Sequence, residues 1–110
     1  MTSKFSFKLT QTARNDLDDI VSYISLTLFN PQAASHFLDQ FENVVNESCD
    51  FLESGSLVDN EFLIGSNIRK KPVGNYIMYY LSNIEEEMIY VIRIVYGNRN
   101  MEEILKYLSL

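Results

Sequence analysis

The sequence predicts an α+β fold: a helical hairpin packed on a small, mainly antiparallel sheet, in the order β-α-α-β-β-β-α, with a short C-terminal helix. Three observations predict it. Two apolar stripes of helical period stand side by side in the N-terminal half, separated only by Asn30-Pro31. Three stretches of strand character follow one another in the C-terminal half, joined by short turns. The length, 110 residues with 46% hydrophobic and 22% charged, suits one domain with one core, so residues 1–110 are expected to fold as a single unit.

The elements follow in order. In Phe5–Leu9 the apolar residues Phe5, Phe7 and Leu9 alternate with Ser6 and Lys8, the pattern of a short strand with one buried face. Thr10 then offers a helix N-cap. Ala13, Leu17, Ile20, Val21, Ile24 and Leu28 recur at spacings of three and four, one stripe on a first helix. Asp16, Asp18 and Asp19 lie early in it, where acids complement the dipole. Asn30 caps a second helix and Pro31 suits its first position. Its stripe runs through Ala34, Phe37, Leu38, Phe41, Val44, Val45 and Phe51 or Leu52, which predicts a helix from about residue 31 to 53. The stretch from Glu53 to Asn67 reads as a loop. Ile68–Lys71 reads as a strand that ends at Pro72 or lies at an edge, because proline cannot donate to a central ladder. Gly74-Asn75 is a turn, Tyr76–Leu81 a strand, and Met88–Tyr96 the most apolar strand of all, interrupted only by Arg93. Met101–Leu108 reads as the closing helix. The first strand has nowhere to pair except in the same sheet.

Composition excludes several functions. The single cysteine, Cys49, allows no intramolecular disulfide and no cysteine-rich zinc site, and fits a reducing compartment. The single histidine, His36, excludes HExxH and three-histidine metal sites, and no cofactor is expected. No apolar run approaches about 20 residues and the N-terminus lacks the apolar core of a signal peptide, so neither a membrane partner nor export is expected. The net charge of −6 argues against a general polyanion binder. It is uneven: residues 1–67 hold Lys4, Lys8 and Arg14 against ten acids, whereas six bases and five acids lie beyond.

The ordered set of motifs resembles the RelE/ParE toxin superfamily. The opening, "LTQTARNDLDDIVSYI", is similar to that superfamily's first strand and its helix with an Ala-x-x-Asp-Leu core, here Ala13, Asp16 and Leu17. "NPQAASHFLDQF" resembles the start of its second helix, "IRKKPVGNYIMYYL" its arginine-bearing strand, turn and tyrosine-rich strand, and "YVIRIVYGNRN" its closing strand. The resemblance implies a bacterial, cytoplasmic growth inhibitor, the toxin of a type II toxin–antitoxin module of the plasmid-stabilisation kind, neutralised by a cognate antitoxin. Two targets occur in the superfamily. RelE-like members cleave mRNA on the ribosome without a metal; ParE-like members inhibit DNA gyrase by binding. Where RelE-like chains carry an arginine after the tyrosine of the tyrosine-rich strand, Ile77 stands here, and Leu105 takes the place of their C-terminal tyrosine. The resemblance is therefore nearer to ParE, with mRNA cleavage, or a degenerate member that only binds antitoxin, as alternatives.

Four cations are candidates for contact with the target: Arg69, Lys70, Lys71 and Arg99. The plainer role for the Arg69–Lys71 run is a solvated edge-strand face that discourages aggregation. Arg69 and Arg99 are expected to converge, exposed, on the sheet side away from the hairpin. Arg93 is expected to be structural, paired with an acid of the hairpin such as Asp16, Asp19 or Asp39, since a charge in so apolar a strand demands a partner. The two central strands are apolar on both faces. The hairpin covers only one and the short C-terminal helix only part of the other, so apolar sheet is expected to remain exposed and to receive the antitoxin as a helix laid across it or a strand added at its edge.

Overall fold

The computed structural model describes residues 5–58 and 67–97. The expected C-terminal helix and Arg99 lie outside these residues. The described elements are β1 (Ser6–Leu9), α1 (Gln11–Ser22), a π-helical turn (Tyr23–Thr27), α2 (Pro31–Asp50), β2 (Ser56–Leu57), β3 (Arg69–Val73), β4 (Tyr76–Asn83) and β5 (Met88–Tyr96). The sheet runs β1-β5-β4-β3-β2; β1 lies parallel to β5 and every other pair is antiparallel. The α+β fold is thus the one the sequence predicts, with β2 added to it.

The hairpin is built by its caps. Thr10 Oγ1 accepts from the Ala13 amide at 3.1 Å and donates to the Ile92 carbonyl at 3.2 Å, so one hydroxyl starts α1 and ties it to β5. Asn30 Oδ1 accepts from the Ala33 amide at 3.0 Å, and Pro31 occupies the first position of α2. Between them α1 runs into the π-helical turn, which widens the helix by one residue. That extra residue rotates everything after it, and Leu28, expected on the buried stripe, is exposed. The buried face of the hairpin comes from Ala13, Ile20, Phe37, Phe41, Val45 and Cys49. They meet Val73, Met78, Tyr80, Ile89, Val91 and Ile94 on the sheet. α2 ends at Asp50, before the expected boundary; Leu52 packs on the core and Phe51 faces solvent.

Three features of the sheet depart from expectation. β3 passes through Pro72 to Val73 instead of stopping before it. β2 pairs only with Arg69 and Lys70, so among the described residues the outer edge of β3 is open at Pro72, the edge position that the sequence offered as the other possibility, and no donor is required there. β2 itself, two residues within the expected loop, is too short to leave an alternation in the sequence. In β5, Tyr79 stands opposite Arg93 and Tyr80 opposite Val91, which leaves Ile92 as the extra residue of a β-bulge. The bulge resets the alternation. Val91 and Ile94 both reach the hairpin core, while Ile92 and Val95 both lie on the other side.

That other side is not the bare face expected for antitoxin binding. Ile68, Tyr79, Ile92 and Val95 form a second cluster, with Tyr79 only 1% exposed. The centre of this face is withdrawn from solvent within the single chain, while Ile77, Leu81 and Tyr90 around it are only partly buried, so the exposed part of the face is smaller than expected. Burial also pushes the Tyr79 hydroxyl up to about 12.

Candidate interaction surface

The Arg69–Lys71 run is divided by the pleat. Register places Arg69 opposite Tyr80, and Lys71 opposite Met78, on the hairpin side. Lys70 stands opposite Tyr79 and is exposed on the other side. Lys71 is buried, and its Nζ donates to Glu47 Oε1 on α2 and, at 3.0 Å, to Ser54 Oγ. Arg69 is half-buried and its Nη1 donates to the Gly55 carbonyl at 2.7 Å and towards the Glu53 carbonyl at 3.4 Å. Arg69 therefore lies on the hairpin side, which corrects the expectation that it faces away from the hairpin. Tyr80 completes this knot: its hydroxyl donates to the Leu52 carbonyl at 3.1 Å and accepts from the Gly55 amide at 2.9 Å. Gly55 has no room for a side chain, since a Cβ would lie 2.7 Å from both the Lys70 carbonyl oxygen and Tyr80 Oη. The basic run thus serves largely to anchor the chain that leaves α2.

Arg93 sits at the bulge and reaches α1. Its Nε donates to Asp16 Oδ2 at 2.8 Å and its Nη2 to Asp16 Oδ1 at 3.1 Å, a two-pronged pair. Asp16 Oδ2 also accepts from the Ile94 amide at 3.0 Å. This carboxylate does a strand's work. β1 ends at Leu9, opposite Val91, so among the described residues the same edge of β5 from Ile92 onward has no strand neighbour. Asp16 and Thr10 supply hydrogen bonds there instead.

Along that open edge runs a trough that no sequence argument singled out. Its first hollow, about 360 Å³, is lined by Asp16, Asp19, Ile20, Tyr23, Tyr76, Arg93 and the end of β5. A second, about 610 Å³, adjoins it through Tyr23, Tyr76 and Tyr96 and is walled by Ile24, Leu28 and Ala33. The Tyr76 ring stands between two others, 5.3 Å from Phe37 and 5.7 Å from Tyr96 by ring centroids, both edge-on. Burial, with the neighbouring Tyr23 and Tyr96 hydroxyls, raises the Tyr76 pKa, so the phenol stays protonated. At the end of the trough the hairpin tip presents Leu26, Leu28 and Phe29 to solvent. Phe29 is 86% exposed and has φ of 52°, a left-handed conformation that a bulky residue adopts only at a cost. A sequence signal exists for two of the three: Leu26 and Phe29 are large apolar residues that belong to neither helical stripe.

Among the described residues no group of three or more His, Cys, Asp or Glu is placed to hold a metal ion, and no helix is long and apolar enough to cross a membrane. Cys49 is buried and His36 exposed.

Comparison with known proteins bears on the family and the fold. The family model described as ParE toxin of type II toxin–antitoxin system, parDE, matches residues 7–101. Among solved structures, the chain is similar to one from the chromosomal ParDE toxin–antitoxin system of P. aeruginosa, at 18% identity and a TM-score of 0.65, covering 86% of this chain and 98% of that one. It is also similar to a chain of the RelBE2 toxin–antitoxin complex of Mycobacterium tuberculosis, at 16% identity and a TM-score of 0.58, covering 84% and 96%. Among curated proteins, none matches the chain.

Proposed function

The chain belongs to the ParE toxin family of type II toxin–antitoxin systems, and from that premise we propose that it arrests growth by binding DNA gyrase, with no catalytic step of its own. The observation that carries this reading is where the cations point. Cleaving RNA without a metal requires positive groups free to stabilise the phosphate and a group to protonate the leaving oxygen. Lys71 and Arg69 instead direct their donors into the protein, at Glu47, Ser54 and Gly55, and Arg93 is paired with Asp16. A net charge of −6 further disfavours contact with ribosomal RNA. Lys70, exposed on β3, and Arg99 are the cations we assign to the target.

Its partners are a cognate antitoxin, as in the toxin–antitoxin complexes that share its fold, and the target enzyme. The remaining attributes fit the same reading: a single domain over residues 1–110, cytoplasmic, bacterial, and acting in plasmid stabilisation. The test is a pair of assays on purified protein. Supercoiling by gyrase should be inhibited, and mRNA on translating ribosomes should stay intact. Cuts within A-site codons, with supercoiling unaffected, would establish the RelE-like alternative.

A further inference from the structure

We propose that the trough between α1 and the end of β5 is a docking slot for a cationic side chain, Arg or Lys, on a segment of the cognate antitoxin, with a neighbouring aliphatic residue of that segment seated in the adjoining hollow. The proposal rests on the reading of the chain as a toxin neutralised by an antitoxin, and deepens it to named residues.

The first half of the argument is electrostatic. The hairpin, Gln11–Asp50, carries seven acids and a single Arg or Lys, Arg14. Of the two acids lining the first hollow, Asp16 is fully engaged by Arg93 and the Ile94 amide. Asp19 is exposed, and although its carbonyl accepts from the Tyr23 amide, its carboxylate makes no hydrogen bond or ion pair among the described residues. It lies one helical turn from Asp16 and from Tyr23, on the same side of α1. A free carboxylate beside aromatic rings is the arrangement that receives a guanidinium or ammonium group, since ring faces attract cations. Tyr23, Tyr76 and Tyr96 supply the rings, and the Tyr76–Tyr96 geometry is held by the edge-on contact.

The second half is apolar. The hollow next door shares those three tyrosines but is walled by Ile24, Leu28 and Ala33. One hollow is suited to a cation and the other to an aliphatic group, and they share a wall. A segment that fills both carries a basic residue beside a Leu, Ile or Val. A second copy of this chain is disfavoured as occupant, because its own hairpin is acidic and like charges would meet. Nucleic acid is disfavoured for the same reason.

The slot is tested with the full-length toxin and the product of the neighbouring reading frame as antitoxin. Asp19→Asn should weaken the complex roughly tenfold and flatten its salt dependence. Tyr23→Ala should weaken it at least as much, whereas Asp39→Asn on α2 should change nothing. Equal affinity for wild type, Asp19→Asn and Tyr23→Ala overturns the proposal, as does an equal loss in all three variants, which would mean a general field and no slot. A second measurement needs no antitoxin. Titrating the toxin with acetyl-arginine amide should shift the ring resonances of Tyr23, Tyr76 and Tyr96, and acetyl-citrulline amide should not. No shift, or equal shifts with both, overturns the slot. Dilution-dependent ring shifts without added ligand would overturn it in favour of a second copy. If the neighbouring product fails to bind wild-type toxin while arginine amide shifts the rings, the choice of antitoxin falls and the slot stands.

Discussion

The two ends of the hairpin are built to opposite rules. Where α2 ends, near β3, polar groups turn inward: Lys71 meets Glu47 and Ser54, Arg69 meets Gly55, and the Tyr80 hydroxyl bridges Leu52 and Gly55. Where α1 ends, near the end of β5, the chain keeps apolar and aromatic groups outside. Tyr23, Leu26, Leu28 and Phe29 are exposed, and Phe29 holds a backbone conformation that its side chain does not favour. Closed polar networks hold a structure together because a half-satisfied one is costly. Exposed apolar groups on a strained turn give an isolated chain nothing. The difference separates the end that holds the fold from the end that is available to a partner.

The contrast can be broken most severely at its pivot. Asp16→Ala should leave the Arg93 guanidinium and the Ile94 amide without their acceptor, at a cost of roughly 3 kcal/mol or more. Arg93→Met should be tolerated better than Arg93→Ala, since it keeps the packing and removes the charge. Urea denaturation of the three variants checks this, and equal losses in the two Arg93 variants would argue against the pair's importance.

Next in size is the closed end. Gly55→Ala forces a methyl group into backbone and into the Tyr80 hydroxyl, which should destabilise by about 2 kcal/mol. A neutral result would show that the knot around Tyr80 yields easily. Alkaline pH probes the sheet beneath. The Tyr79 pKa rises from 10.0 to about 12 in the folded chain, so the folded state holds its proton longer than the unfolded state. Stability is therefore intact below about pH 10 and lost as pH climbs towards 12. Tyr79→Phe should flatten that fall in a pH series of thermal melts, with the smaller upward shifts of Tyr76 and Cys49 left to act.

The smallest effect has the opposite sign. Phe29→Gly should stabilise the isolated chain by about 0.5 kcal/mol, because the left-handed turn suits glycine and little packing is lost. The same change should weaken the toxin–antitoxin complex if the tip belongs to the docking surface. A loss of stability in the free chain would show that Phe29 is more than a free tip.

The hairpin and its caps were legible in the sequence because Thr10 and Asn30-Pro31 act locally and the stripes around Phe37 and Ile20 follow helical period. The need of Arg93 for an acid was legible for the same kind of reason: a charge in an apolar strand must be answered. What escaped notice depends on one-residue shifts. The extra residue in the π-helical turn carried Leu28 out of the stripe, and Ile92, the extra residue in β5, exchanged the faces of all that follow it. Neither insertion has a signature in composition. Pro72 reads as a stop or an edge, and the choice between them depends on how far β2 runs beside β3, which is a fact about β2 and not about proline. The inward turn of Lys71 likewise depends on Glu47, 24 positions earlier, and the acid's placement on α2 facing β3 is a tertiary fact.

Asp16 has a meaning beyond the stability it confers. A strand edge with unpaired amides is a template on which another chain can lengthen the sheet. The Asp16 carboxylate, seated on the Ile94 amide and held by Arg93, closes that template from the side with a helix in place of a strand. The exposed tip can thus stay sticky for a chosen partner while the adjacent edge has its Ile94 amide already occupied. Loosening α1 should then show first as sedimenting oligomers of still-folded chains, before any unfolded population appears.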